Sequence, residues 1–182
     1  MIKWSDLTEV SPGIFYTRQS LVAVDGSVIE QLKDAAIRSP SKRARICAHP
    51  TPEAVQQDML IVSHRDTYVA PHRHLLKTET MLIIEGEAEA VTFDERGGIA
   101  DVLPMGPVVS GRLFFYRMPE RVYHGLLINS EMLVFTESTR GPFRLEESEN
   151  APWAPAPSDH GAGRRFAASL RERCLQRRTS QP

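Results

Sequence analysis

The sequence predicts a mainly β domain, an antiparallel barrel or sandwich built around a metal site, and three observations predict it. From Thr67 to about Ser138 the chain reads as short strands separated by turn residues at regular spacing. No helical pattern interrupts that run, which argues against alternating β-α-β units and a parallel sheet. Within it, His72 and His74 stand at i and i+2, a spacing that puts both imidazoles on one face of a strand, with Glu79 next and His124 further on.

The 182 residues suit one domain that buries a core without disulfide staples. A formal net charge of -1 gives no reason to expect nucleic acid as the main partner. The two cysteines, Cys47 and Cys174, lie far apart and form no Cys-x-x-Cys motif, which fits a reduced, cytoplasmic compartment. The N-terminus lacks an apolar core with a small-residue cleavage site, and no apolar run approaches membrane-spanning length. The expectation is a soluble, unprocessed protein without a membrane partner.

In chain order, Pro12-Gly13 is a turn signal, and Ile14 to Val24, rich in β-branched and aromatic residues, reads as an early strand. Ser27 and Glu30 stand in the capping-box relation, and Val28, Ile29, Leu32, Ala35 and Ala36 recur at helical spacing until Pro40, so a short amphipathic helix follows. Extended, residues 42–49 place Arg43, Arg45, Cys47 and His49 on one face. Thr51-Pro52-Glu53 has the form of an N-cap, a first-turn proline and an acidic first turn, which predicts a second helix through about Val62.

The strands then run Thr67 to His74, Thr78 to Glu85, Glu87 to Phe93, Ile99 to Leu103, Val108 to Met118, Arg121 to Ile128 and Met132 to Glu137. Gly86, Arg96-Gly97-Gly98, the stretch Pro104 to Pro107, Pro119 and Asn129-Ser130 punctuate them. Both parities of Met81-Leu82-Ile83-Ile84 are apolar, so the outer face needs a cover from the N-terminal helices or a second subunit, and a homodimer is expected. The proline-rich strap Ala151 to Pro155 reads as ordered coil. Residues 1–157 thus form the metal-binding domain, and 158–182 a basic tail. Phe166, Leu170 and Cys174 lie four apart and allow a short helix there, but a solvated or partly disordered tail is the favoured reading.

Three imidazoles and one carboxylate, on His72, His74, His124 and Glu79, suit one divalent transition metal per chain, such as zinc, iron, nickel, cobalt or manganese, rather than calcium. The spacing His72-x-His74, four residues to Glu79 and six more to Gly86 is that of the first cupin motif. The second is partly present, with Pro119 five before His124, Arg121 where a glycine is usual, and Asn129 one position late. The run Arg43-x-Arg45-x-Cys47-x-His49, then Thr67-Tyr68-x-x-Pro71-His72-Arg73-His74, then Phe93-Asp94, Gly141-Pro142-Phe143 and Trp153-Ala154-Pro155 resembles the WbuC-type cupin-fold metalloproteins, which are associated with bacterial O-antigen and surface-polysaccharide gene clusters. The likeness covers residues 14 to 155. It implies a double-stranded β-helix, a cupin or jelly-roll barrel, here with two short N-terminal helices and a basic C-terminal tail.

Any one of these histidines alone is more often a hydrogen-bonded core or surface residue; four donors at family spacing reverse that. Arg43, Arg45 and His49, with the hydroxyl of Tyr68, are candidate contacts for a small polar or anionic ligand, because guanidinium forks bind carboxylate and phosphate bidentately. Two function classes follow. One is a metal-dependent enzyme, an isomerase or oxygenase, acting on a small molecule such as a sugar derivative in surface-polysaccharide metabolism. The other is a non-catalytic metal-dependent binding or sensing module.

Overall fold

The computed structural model describes residues 1–179. Its elements in chain order are β1 (Leu7–Ser11), β2 (Ile14–Thr17), α1 (Gly26–Arg38), β3 (Arg43–Cys47), β4 (Gln56–His64), β5 (His72–His74), β6 (Glu79–Glu85), β7 (Ala88–Phe93), β8 (Ile99–Met105), β9 (Phe115–Met118), β10 (Tyr123–Ile128), β11 (Met132–Arg140), β12 (Ser148–Asn150) and α2 (His160–Thr179). One sheet has the order β1-β2-β3-β4-β11-β6-β9 and the other β12-β5-β10-β7-β8. From β4 onward the chain passes back and forth between the two, interrupted only by the β7–β8 hairpin. The strands pair antiparallel, apart from the parallel pair β2–β3. This is a double-stranded β-helix, the jelly-roll architecture that the alternation of short strands and turns predicts.

Three apolar clusters stack through it. Between the sheets lie Cys47, Met59, Ile61, Met81, Ile83, Leu126, Ile128, Leu133 and Phe135. On the outside of the larger sheet, Val28, Leu32, Ala35 and Ala36 of α1 cover Ala44, Ile46, Leu60, Val62 and Val134. On the outside of the smaller sheet, Ala167, Leu170 and Cys174 of α2 cover Val91, Phe93, Tyr123 and Leu127.

Several expectations change. The helix expected from Thr51 to Val62 is a turn followed by β4. The Thr51 hydroxyl accepts from the Glu53 amide at 3.3 Å, and the Ala54 amide donates to the Thr51 carbonyl at 3.1 Å, so these residues close a local turn instead of capping a helix. β4 is apolar on both parities because Met59 and Ile61 face the other sheet while Leu60 and Val62 lie under α1, and such a run imitates helical periodicity. Asp25, rather than Ser27, caps α1, its carboxylate accepting from the Ser27 and Val28 amides at 3.0 and 3.3 Å. The early strand ends at Thr17 and gains β1 as a partner, and the strand expected from Val108 begins only at Phe115.

The basic segment after Ser158, for which a solvated tail is the favoured expectation, is the 20-residue helix α2. Three of its six arginines donate to backbone carbonyls, Arg171 to Ile128 at 2.8 Å, Arg173 to Gly97 at 2.9 Å and Arg177 to Ala100 at 2.6 Å, and Arg178 pairs with Glu89. Composition reads as solvated because these partners are remote in sequence. By contrast, the outer face of β6 stays uncovered, with Leu82 39% and Ile84 41% exposed beside Phe115, the β9 partner of Leu82, at 50%.

Leu170→Ala is expected to destabilise the protein by about 2–4 kcal/mol, whereas the exposed Glu172→Ala shifts it by less than about 0.5 kcal/mol. Urea denaturation checks both. Equal midpoints for Leu170→Ala and the parent chain would mean that α2 is not docked.

Candidate metal centre

The smaller sheet presents three imidazoles to the interior, His72 and His74 from β5 and His124 from β10, and His124 is the direct cross-strand partner of His72. Glu79 faces them from the first position of β6 in the larger sheet, so the cluster spans the gap between the layers. One ligand-type atom from each of the four lies within 4.8 Å of the others.

The second nitrogen of each ring is already held. His72 Nδ1 is 3.0 Å from the Ala70 carbonyl, His124 Nδ1 is 2.9 Å from the Val122 carbonyl, and His74 Nδ1 is 3.0 Å from Ser148 Oγ of β12. A carbonyl only accepts, so Nδ1 of His72 and His124 carries the hydrogen and Nε2 is left with a lone pair. His124 Nε2 is buried with no hydrogen-bond partner, 3.6 Å from Glu79 Oε1. His74 Nε2 is 3.0 Å from Glu79 Oε2, and Tyr116 donates its hydroxyl to Glu79 Oε1 at 2.8 Å. A buried lone pair facing a carboxylate is two acceptors face to face, an arrangement that suits a cation between them.

Electrostatics agree. Burial alone would raise the Glu79 carboxyl, but the imidazoles of His124 and His74 outweigh it and hold the group well below the usual carboxylate range. Burial would lower His124, and Glu79 reverses that and raises it. Burial, then the proximity of His124, pushes His72 down to about 4. Glu79 thus strengthens the hold of His124 on a cation, and a divalent ion competes with the proton for the same nitrogen.

Two turns hold this geometry. Gly86 has φ +85°, and a Cβ there would run into the Met132 carbonyl, so the glycine closing the first motif is sterically required. Arg121, standing where the second motif usually has glycine, keeps the left-handed conformation with φ 65°, at a cost of about 1 kcal/mol. Its amide donates to the His74 carbonyl at 2.7 Å, which ties the β9–β10 turn to the strand carrying two donors.

A cavity of about 410 Å³ opens in front of the four donors. Arg43, Arg45 and Cys47 line it from the inner face of β3, with His49 just beyond. The Nε atoms of Arg43 and Arg45 are buried without partners. His49 is buried, its Nδ1 3.1 Å from the Asp58 carbonyl and its ring edge-on to Tyr16 at 5.6 Å. Tyr68 is elsewhere: its hydroxyl donates to the Pro155 carbonyl at 2.9 Å and its ring packs against Phe166 and Gly163 of α2. β5 starts only at His72, so Tyr68 sits on a loop under α2 instead of on a strand facing the cavity.

Two lining residues escaped the sequence reading. Glu137 shares the inward parity of Phe135 on β11, makes no side-chain hydrogen bond among the described residues, and has Arg43 Nη2 at 3.8 Å. The break from Met132-Leu133-Val134-Phe135 to Thr136-Glu137-Ser138-Thr139 was its signal. Lys77 precedes β6 and is buried among cavity residues.

A domain of unknown function (DUF6016) matches residues 24–105, which takes in His72, His74 and Glu79 and ends before His124. No curated protein matches the sequence. Among solved structures, the chain is similar to procruciferin, an 11S globulin from Brassica napus, with TM-score 0.40 and 11% identity over 48% of this chain and 21% of that one. KdgF from Halomonas sp. matches with TM-score 0.45 and 16% identity over 60% of this chain and 86% of that one. Oxalate decarboxylase from Lactobacillus farciminis, in a formate complex, matches with TM-score 0.42 and 13% identity over 53% of this chain and 26% of that one. The chain therefore spans well under two thirds of procruciferin and of that oxalate decarboxylase.

Burial, then the charge of Glu79, raises the Glu137 carboxyl above its ordinary 4.5, against the pull of Arg43 and Arg45. The unfolded chain therefore releases that proton first as pH rises, and the folded state loses stability on passing through the raised value. Glu137→Gln removes this loss. Thermal melts of metal-free protein should show the Gln variant more stable near pH 8, with the difference closing towards pH 4; a gap that widens in acid would reverse the assignment.

Proposed function

We propose that this chain is a cupin-fold metalloprotein that holds one divalent transition metal on His72, His74, Glu79 and His124 and binds a small anionic molecule in the cavity beside it. The convergence of four donors within 4.8 Å, with the unpartnered His124 Nε2 facing Glu79, carries the reading. Zinc, iron, nickel, cobalt and manganese all suit imidazole with carboxylate. Bound there, such an ion supplies Lewis-acid polarisation of a ligand oxygen. The chain's own residues do the rest. Ser148, Ala70 and Val122 orient the imidazoles, Tyr116 orients Glu79, and Arg43 and Arg45 offer guanidinium donors to an anionic group.

An enzyme, an isomerase or oxygenase, is favoured over a binding or sensing module because the cavity wall is not inert. Glu137 faces it with no side-chain hydrogen bond among the described residues and Arg43 Nη2 at 3.8 Å, a carboxylate placed to hold or release a proton. The WbuC-type likeness supports a sugar derivative and a role in surface-polysaccharide metabolism. The uncovered apolar face of Leu82, Ile84 and Phe115 supports a homodimer, which light scattering at twice the 20.4 kDa chain mass would establish and a monomer mass would refute.

Elemental analysis of purified protein tests the centre. His74→Ala should lose most of its metal and melt lower than the parent, because binding energy for the ion is available only to the folded chain. Ser148→Ala should keep the centre and weaken metal affinity about tenfold, as expected when an imidazole loses its orienting partner. Unchanged metal content in His74→Ala would sink the proposal.

A further inference from the structure

The charges around the cavity do not balance. Arg43 faces Glu137 at 3.8 Å, so that pair is largely self-compensating. Glu79 is engaged by His74, His124 and Tyr116. Two cations remain. Arg45 makes no side-chain hydrogen bond or ion pair among the described residues, and its Nε is a buried atom without a partner. Lys77 is only 6% exposed, and its ammonium has no hydrogen bond or ion pair among the described residues; the Phe143 ring centroid lies 5.8 Å from Nζ. Both side chains line the same cavity as the four metal-type donors. A buried unpaired charge is costly, and lysine is almost never buried without a counter-charge.

Resting on the reading of this cavity as a ligand site, we infer that its ligand is a small dianion, whose two negative charges are matched by Arg45 and Lys77. A planar guanidinium fork and a compact ammonium together suit either one doubly charged group, a phosphate monoester, or two carboxylates on a short chain. Lys77 is thereby a specificity-determining residue: a monoanion satisfies Arg45 and leaves the ammonium unpaired, and is bound more weakly for that reason. The aromatic face of Phe143 beside Lys77 adds no negative charge and leaves the selection to the ligand.

Calorimetric titration of metal-loaded protein with glycerol phosphate, malonate and acetate tests this. At least one dianion should bind about tenfold or more tightly than acetate, the worth of one additional charge-assisted hydrogen bond. Preference for glycerol phosphate would identify a single doubly charged group, and preference for malonate a pair of carboxylates. Lys77→Met keeps the aliphatic stem and removes the charge. It should abolish the preference for the dianion, leave acetate affinity unchanged, and raise the melting temperature of the ligand-free protein. Arg45→Gln should weaken dianion and acetate alike.

Equal affinity for dianions and acetate, or a Lys77→Met variant that keeps the preference, would overturn the inference. So would a lowered melting temperature in Lys77→Met with anion binding intact, which would make the lysine structural. Metal content of the same samples separates the two readings: full occupancy with no anion selectivity fails this inference alone, and absent metal fails the centre on which it rests.

Discussion

One contact across the interior organises this protein: the Glu79 carboxylate of the larger sheet against the three imidazoles of the smaller one. A jelly roll is held mainly by apolar side chains between its sheets, and polar groups placed there must satisfy one another or bind something. Here each ring is held by an oxygen partner at Nδ1, and the inward Nε2 atoms of His74 and His124 face Glu79. Partners outside the cluster thus set the orientation of each ring, and this ordering, more than the donor count, is what makes it a candidate metal centre.

The surrounding layers supply the rigidity. α1 and α2 cover opposite outer faces, so β4, β7 and β10 are buried on both sides and cannot slip in register without exposing an apolar face. The inner layer divides into an apolar part, around Ile83, Leu133 and Phe135, and a polar part, where Arg43, Arg45, Glu137 and Glu79 occupy inward positions on β3, β11 and β6. The polar part is destabilising in isolation. It holds the buried, unpartnered Nε atoms of Arg43 and Arg45 and the nearly buried Lys77.

The order of the strands from β6 to β11 was legible because apolar residues alternate with polar ones or cluster between turn residues, although β9 starts later than expected and β12 was read as irregular chain. The pairing of His72 with His74 was legible too, since i and i+2 on a strand share a face whatever the rest of the chain does, while Glu79 and His124 joined them through motif spacing. What misled was burial from outside. β4 lies beneath α1 and loses its alternation, so it imitates a helix; α2 carries arginines whose carbonyl partners are remote in sequence, so it reads as a solvated tail. Tyr68 seemed a strand residue beside the donors, but the strand is too short to include it.

By itself the sequence determined the periodicities, the turns and the chemistry of the donor set, because each depends on neighbours a few residues away. Only the tertiary structure decided which charges stay uncompensated. Arg43 meets Glu137 across β3 and β11, and Tyr116 reaches Glu79 across β9 and β6. Lys77 and Arg45 make no ion pair or side-chain hydrogen bond among the described residues. Coulombic pairing depends on distance in space, and a folded sheet brings together strands that the chain order keeps apart.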